Sequence, residues 1–288
     1  MEKKRYGLAH SLPGASAALM RDLENLPPGL DGLSGPLMSL VTNPRLVAMT
    51  SPESVGAEKF RVLAARLSYF QDHRNLKRVV VTSSIKGEGK SVVSANLALT
   101  LARRQRTLLI DGDLRQSGLS NLFGSHNFRG ITDWWLQEDD IARFIRHVDS
   151  LPLWFLPAGQ AAAQPLEILQ SERMSAMLEK ISPWFAWIVI DSPPLVPFAD
   201  PSLWATHADG TLLVVKQGTT PKKLLLKALK EVEDLKLTGV VVNAAKDSGH
   251  ESYRKYYRNI DRNSRTSSAM IERRITRSGE PSLPAASE

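Results

Sequence analysis

Short apolar runs alternate with longer stretches of helical pattern from Lys77 to Ala245. The apolar runs, each interpreted as a strand, are VVVTSS, TLLIDGD, LWFLPAG, WIVIDSPP, TLLVVKQG and GVVVNAA. Apolar residues recur at helical spacing in Glu53 to Phe70, Ser91 to Arg104, Glu167 to Ile181 and Pro221 to Leu235. Strands that alternate with helices are typical of βαβ units. The pattern therefore predicts an α/β fold with a mainly parallel sheet and helices on both faces.

The patterned region is flanked by two stretches without this periodicity. Residues 1–50 are rich in Gly, Pro, Ser and Leu, which predicts a poorly ordered leader. We expect one folded domain over residues 51–246 and a basic, disordered tail over residues 247–288. Three of the five tyrosines, Tyr253, Tyr256 and Tyr257, lie in this tail among arginines and lysines. Their setting is too polar for buried tyrosines, so an exposed role is indicated.

Composition narrows the function classes. The chain of 288 residues has no cysteine, which excludes disulfides and thiolate zinc sites. No apolar run approaches the roughly 20 residues of a membrane span, so a cytosolic protein is expected. The net charge of +7 is compatible with nucleic acid, an anionic membrane surface or a negatively charged partner. Nine basic and four acidic residues fall between Lys246 and Arg277, so much of the surplus lies in the tail.

The segment SIKGEGKS, Ser84 to Ser91, follows a predicted strand and opens a predicted helix, as a phosphate-binding loop requires. Gly87 and Gly89 let the backbone approach phosphate oxygens, and Lys90 can bridge the terminal phosphates. Ser91 is the expected Mg²⁺ ligand. The predicted nucleotide-binding residues are Ser84, Lys86, Gly87, Glu88, Gly89, Lys90, Ser91, Val92 and, at the end of the last strand, Asn243.

Two further strands end in carboxylates. Asp111 and Asp113 close TLLIDGD, and Asp191 closes WIVIDSPP. In a parallel sheet the carboxyl ends of the strands open onto the crevice where ligands bind. The sequence therefore predicts that these carboxylates lie near the phosphate loop, where they can hold a metal ion.

The segments SSIKGEGKS, LLIDGDLR and IVIDSPP resemble, in order and spacing, the Walker A, A′ and B motifs of the bacterial tyrosine kinases that control capsular and exopolysaccharide synthesis. The resemblance covers about Ser51 to Ala245. It implies that Lys90 and the Walker A residues bind ATP, and that Ser91, Asp111 and Asp191 hold Mg²⁺. It also implies that Lys90, Asp111 and Asp113 form the catalytic set, with Asp111 or Asp113 activating the tyrosine hydroxyl. The tail tyrosines Tyr253, Tyr256 and Tyr257 would be the autophosphorylation sites.

The chain departs from the family pattern at two places. Lys86 stands where relatives usually carry proline, and Ile85 stands where positioning ATPases carry a signature lysine. The helix motif that builds the family's rings has Glu58 and Arg61 here but ends in Ala64 in place of arginine. Glu58 and Arg61 are equally compatible with a simple ion pair on a solvated helix face.

The resemblance further implies a membrane-embedded polysaccharide co-polymerase as activator, recruitment to the inner face of the membrane, and a homo-oligomer. A cognate tyrosine phosphatase is compatible with it, and no nucleic acid is expected. Two alternatives stay open at this point. One is a MinD- or ParA-like positioning ATPase without kinase activity, and the other is a noncatalytic module with a basic tail.

Overall fold

The computed structural model describes residues 37–125, 127–137, 139–233 and 235–245. These residues form one sheet whose strands are β1 Leu37–Met38, β2 Arg78–Ser83, β3 Thr107–Asp111, β4 Arg146–Val148, β5 Leu153–Leu156, β6 Trp187–Asp191, β7 Gly210–Lys216 and β8 Leu237–Asn243. Their order across the sheet is β1-β4-β5-β3-β6-β2-β7-β8. Every neighbouring pair is parallel except β4 and β5. The predicted α/β fold with a mainly parallel sheet is confirmed.

Helices cover both faces of this sheet. They are α1 Val47–Thr50, α2 Val55–Arg74, α3 Lys90–Ala102, α4 Gly118–Phe123, α5 Ile131–Gln137, α6 Pro165–Gln170, α7 Glu172–Ile181, α8 Asp200–Thr206 and α9 Lys222–Glu233, with 3₁₀ turns at Ile141–Arg143 and Ser182–Trp184. Alternate strand residues enter different core layers, because successive side chains of a strand point to opposite faces. Val80 packs with residues of α7, whereas Val79 and Val81 pack with residues of α3.

The helix predicted over Glu167 to Ile181 is two helices. Ser171 has an extended backbone, and its hydroxyl accepts a hydrogen bond from the Met174 backbone N–H at 3.1 Å. That bond caps the start of α7, so the chain breaks between α6 and α7 even though the apolar spacing continues through both.

The prediction of a poorly ordered leader is wrong for residues 37–50. Strand β1 pairs with β4, and Met38, Leu46 and Ala48 are buried. The side chain of Asn96 in α3 accepts a hydrogen bond from the Ala48 N–H at 2.9 Å and donates one to the Arg45 carbonyl at 2.8 Å. Sequence periodicity misses this segment because its regular elements are only two and four residues long.

Residues 1–36 of the predicted leader and residues 246–288, which contain the predicted tail, lie outside the described residues. In the ranges that the structure does describe, no helix combines the length and apolarity needed to cross a bilayer.

Candidate active site

The phosphate loop joins the buried end of β2 to the start of α3. Gly87 and Gly89 have φ angles of +90° and +94°, a conformation that other residues rarely adopt. A Cβ added at Gly89 would also collide with the side chain of Asn243. The first backbone N–H groups of α3 are available to an anion at the helix N-terminus, because they have no partner within the helix.

Glu88 fixes the shape of this loop. Its side chain is buried, and its carboxylate accepts hydrogen bonds from the Ile85 N–H at 2.9 Å and from the Thr220 hydroxyl. The amide of Asn243 donates to the Glu88 carbonyl at 2.8 Å. The loop is therefore tied to the ends of β7 and β8, and the Glu88 carboxylate serves the loop conformation.

Two carboxylates predicted for the site are brought side by side by the sheet. Strands β3 and β6 are parallel neighbours whose register pairs Asp111 with Asp191. Both residues are fully buried. The Gly112 N–H donates to the Asp191 carbonyl at 2.7 Å, which extends the pairing one residue beyond β3. The expectation that these strand ends meet beside the phosphate loop is met in the structure.

Lys90 lies between the carboxylates. Its Nζ is 3.1 Å from Asp113 Oδ2 and 3.6 Å from Asp191 Oδ2, and its side chain is 12% exposed. Burial opposes the charged form, but the negative charges of Asp191 and Asp113 outweigh burial and raise the pKa of Lys90 above its ordinary value. Lys90 is therefore a permanent cation in the site.

Asp111 and Asp191 are short of positive partners. Burial and the nearby charge of Asp191 raise the pKa of Asp111 to about 8, against the lowering effect of a hydrogen bond from the Ser117 hydroxyl. Burial also raises the pKa of Asp191, although Lys90 opposes this. The Ser94 hydroxyl donates to Asp191 Oδ1 at 3.0 Å. Asp111 Oδ1 and Asp191 Oδ2 are buried without a hydrogen-bond partner among the described residues.

The oxygen atoms gathered here fit a divalent cation. A Cβ added at Gly118 would strike the Ser91 side chain and lie 4.0 Å from Asp191 Oδ2, so Ser91 and Asp191 border the same space. Hydroxyl and carboxylate oxygens are the donors that Mg²⁺ prefers. No group of three or more His, Cys, Asp or Glu residues within the described ranges could hold a metal by itself. The shell of a bound Mg²⁺ would therefore have to be completed by phosphate oxygens and water.

Comparison with known proteins shows the family of this chain. The CobQ/CobB/MinD/ParA nucleotide-binding domain family matches residues 79–278. Tyrosine-protein kinase YwqD of Bacillus subtilis is 31% identical over 214 residues, covering 73% of this chain and 90% of that protein. This chain belongs to the bacterial tyrosine kinase family.

Two further comparisons, one with a longer protein and one with a solved structure, show how much of each the chain matches. The succinoglycan biosynthesis transport protein ExoP of Rhizobium meliloti is 31% identical over 203 residues, covering 68% of this chain but only 26% of that protein. The crystal structure of the chimerical protein CapA2B2 superimposes with a TM-score of 0.68 at 26% identity, covering 75% of this chain and 97% of that one. This chain therefore matches about a quarter of ExoP and nearly the whole of the CapA2B2 chain.

Three other residues predicted to bind nucleotide, Ser84, Lys86 and Val92, differ in their surroundings. Ser84 is buried and its hydroxyl has no hydrogen-bond partner within the described part of the chain. Lys86 is exposed, and its Nζ donates to the Gln116 side chain at 2.7 Å, across the mouth of the site. Val92, in the first turn of α3, is partly buried against the core layer on that face of the sheet. The predicted phosphoacceptors Tyr253, Tyr256 and Tyr257 lie outside the described residues.

The helix that carries the family's ring motif is α2. Arg61 forms an ion pair with Glu58 at 2.6 Å and donates to the Pro52 carbonyl at 2.7 Å. Ala64, in the place of the final arginine, is buried. Glu58 and Arg61 therefore satisfy each other on the solvated face of α2.

Sequence reasoning missed the hydroxyls that orient the carboxylates. Ser94 contacts Asp191, and Ser117, which also caps α4, contacts Asp111. A weak signal for Ser94 is present in the sequence, since it is a polar residue in the mainly apolar helix KSVVSANLALTLA, but Asn96 and Thr100 carry the same signal. Ser117 has no comparable signal, because its position depends on the turn that follows β3.

Proposed function

We propose that this protein is an ATP- and Mg²⁺-dependent protein-tyrosine kinase that phosphorylates its own C-terminal tyrosines and regulates capsular or exopolysaccharide polymerisation and export. One observation carries the proposal. Lys90, at the start of α3, lies 3.1 Å from Asp113 and 3.6 Å from Asp191 in a chain that is 31% identical to a named tyrosine-protein kinase. Such a centre would bind phosphate, and its carboxylates would serve as metal ligands and as proton acceptors.

Phosphoryl transfer depends mainly on positioning and charge stabilisation. The loop N–H groups and the α3 N-terminus would hold the phosphates, and Lys90 would turn from the carboxylates to the terminal phosphate oxygens. Ser91, Asp111 and Asp191 would hold Mg²⁺, which supplies charge neutralisation to the transferred phosphoryl group. Gly87 and Gly89 keep the loop open to the phosphates because neither carries a side chain.

A carboxylate must take the proton of the attacking phenol, whose ordinary pKa is about 10. The tyrosine oxygen forms the new P–O bond, the bond to the ADP leaving group breaks, and the proton passes to Asp111 or Asp113. A proton acceptor works best when its pKa lies near the working pH. Both candidates lie at the site: Asp111 is buried beside Asp191, and Asp113 Oδ2 is 3.1 Å from the Lys90 ammonium.

The setting of the enzyme is proposed on the same basis. A membrane-embedded polysaccharide co-polymerase would activate the kinase and recruit it to the inner face of the membrane, and the kinase would work as a homo-oligomer. The relative from Rhizobium meliloti is named as a biosynthesis transport protein for succinoglycan, which supports the link to exopolysaccharide. A cognate phosphatase would reset the modified tyrosines.

The test incubates purified protein with Mg·ATP and the cytoplasmic segment of the activator, and maps phosphotyrosine by mass spectrometry. We expect phosphate on Tyr253, Tyr256 or Tyr257 in the wild type and none with Lys90→Met. ATP hydrolysis without any phosphotyrosine would overturn the kinase assignment and favour a positioning ATPase.

The route of transfer needs a second experiment. A Lys90→Met subunit with intact tyrosines is mixed with an active subunit whose three tail tyrosines are phenylalanine. Phosphotyrosine on the inactive subunit is expected if one subunit phosphorylates the next. No label on that subunit would refute transfer between subunits.

A further inference from the structure

A cavity of about 170 Å³ lies where β2, β7 and β8 begin, at the edge of the sheet opposite to Asp111 and Asp191. Its lining combines apolar and charged residues: Phe70, Arg74, Leu76, Asp209, Lys236, Leu237 and Thr238. None of these residues takes part in the site described above, so the cavity needs a separate account.

The carboxylate of this cavity is already satisfied. Asp209 Oδ2 accepts hydrogen bonds from the Lys77 N–H at 3.0 Å and the Arg78 N–H at 2.7 Å. Asp209 Oδ1 lies 3.6 Å from the Arg78 guanidinium. Asp209 keeps its negative charge, but the Arg78 guanidinium offsets part of it and donors already surround both oxygens.

The cations of the cavity keep free donors. Arg74 stacks over the Phe70 ring with its guanidinium carbon 4.9 Å from the ring centroid, and it makes no ion pair with a carboxylate in the described part of the chain. Lys236 Nζ donates one hydrogen bond, to the Ala208 carbonyl at 2.9 Å, out of the three that an ammonium can make. Arg74 and Lys236 can thus both donate to one anion.

Further positive charge lies behind this pair. Burial lowers the pKa of Lys77 below its ordinary value, and repulsion from Arg78 and Arg106 lowers it further, while Asp209 opposes the effect. The lysine and the two arginines are therefore close enough to repel one another. An anion bound nearby would relieve that repulsion.

The lining also has an apolar part, which an inorganic anion would leave unused. Phe70, Leu76 and Leu237 offer aromatic and aliphatic surface beside the cations. A protein cavity of about 150 Å³ is large enough to hold benzene. The cavity can therefore take one aromatic ring. Arg74, whose planar guanidinium suits bidentate phosphate recognition, can meet a phosphate carried by that ring.

We propose that this cavity binds a phosphotyrosine side chain. The inference rests on the proposed function, since the bound group is the product of that reaction. Such a site, outside the catalytic centre, would bind the product of the reaction. Phosphorylation would then control which protein molecules the kinase binds. The shared chemistry, an aryl phosphate, could come from a second copy of this protein or from another protein phosphorylated on tyrosine.

The test measures fluorescence anisotropy with synthetic peptides of the sequence from His250 to Asn259, in which all three tyrosines are phosphorylated, unmodified, or replaced by phosphoserine. The full-length Lys90→Met protein is used, so binding does not depend on kinase activity. We expect the phosphotyrosine peptide to bind at least about ten-fold more tightly than the phosphoserine peptide, because only the former has a ring for the apolar walls. Arg74→Ala should weaken binding by about ten-fold or more through loss of the bidentate contact.

Lys230→Ala is the matched control, because Lys230 is an exposed lysine of α9 that does not line the cavity, and it should leave the affinity unchanged. Phenyl phosphate should displace the peptide at a lower concentration than inorganic phosphate. If an unrelated, acidic phosphotyrosine peptide binds tightly and the chain's own sequence does not, the phosphotyrosine that the cavity binds comes from another protein.

Two results would overturn the proposal. One is equal affinity for the phosphotyrosine and phosphoserine peptides. The other is Arg74-dependent binding to vesicles of equal parts phosphatidylserine and phosphatidylcholine, with no peptide binding. Kinase activity without peptide binding would refute only the proposed role of the cavity. Peptide binding in a protein that never forms phosphotyrosine would refute only the proposed function.

Discussion

Replacing Asp111 by asparagine should stabilise the metal-free protein while it impairs phosphoryl transfer. The wild-type carboxyl is fully buried, and its pKa is raised from 3.8 to about 8 by burial and by repulsion from Asp191. An asparagine side chain keeps the shape and an oxygen that can accept from Ser117, but it carries no charge to bury. The variant should therefore avoid the cost that the ionised wild-type residue imposes.

The sign and the size follow from proton linkage. A carboxyl whose pKa is higher in the folded state costs no stability below its unfolded pKa, and the cost grows as the pH rises from the unfolded pKa to the folded pKa. A pKa raised from 3.8 to about 8 corresponds to a cost of at most about 5 kcal/mol near pH 8, and of about 2 kcal/mol near pH 5. The stability gain of Asp111→Asn should thus grow by about 3 kcal/mol between these two pH values.

Urea unfolding of both proteins, with EDTA present at each pH, measures this difference. Asp72→Asn is the matched control, because it removes one carboxylate from the exposed surface of α2, and its effect should stay within about 0.5 kcal/mol at both pH values. The reasoning would be refuted if Asp111→Asn were less stable than the wild type near pH 8, or if its gain did not depend on pH.

Three other substitutions test the loop and its lysine. Lys90→Met should abolish ADP binding in calorimetry. It should also lower the free energy of unfolding by about 3 kcal/mol, because Asp113 and Asp191 lose their shared cation. Unchanged ADP affinity in a folded variant would exclude Lys90 from the phosphate site. Lys86→Pro should change ADP affinity by less than about two-fold, because this lysine is exposed and contacts only Gln116 among the described residues; a larger loss would place Lys86 on the phosphates. Gly89→Ala should weaken ADP binding by at least about ten-fold, because its Cβ would strike Asn243 at a φ of +94°; wild-type affinity would contradict the fixed loop geometry.

The sequence was informative wherever one strand or loop carries its own signal. The ends of β3 and β6 could be placed beside the phosphate loop because apolar strands and terminal carboxylates are both visible in the sequence. Their side-by-side register could not be predicted, since it depends on the strand order, and β6 is far from β3 in sequence.

Contacts between distant segments account for the rest. Residues 37–50 join the fold through pairing with β4 and through the side chain of Asn96, and neither contact leaves a periodic trace in the local sequence. The role of Glu88 was likewise invisible, because its partner Thr220 lies in the loop after β7. The cavity beside Arg74 is formed by the end of α2 and the starts of β2, β7 and β8, and β7 and β8 are distant from α2 in the sequence.

The hydrogen bonds of Glu88 also bear on the entropy of nucleotide binding. Fixing the backbone of one residue costs about 1–2 kcal/mol of conformational entropy, and a loop that orders only around its ligand subtracts that cost from the affinity. Here the Glu88 carboxylate holds Ile85 and Thr220, and Asn243 holds the Glu88 carbonyl, so folding itself has already ordered the loop. The binding energy of the phosphate contacts is therefore not needed to order the loop. It can stabilise the transition state of phosphoryl transfer more than the bound nucleotide.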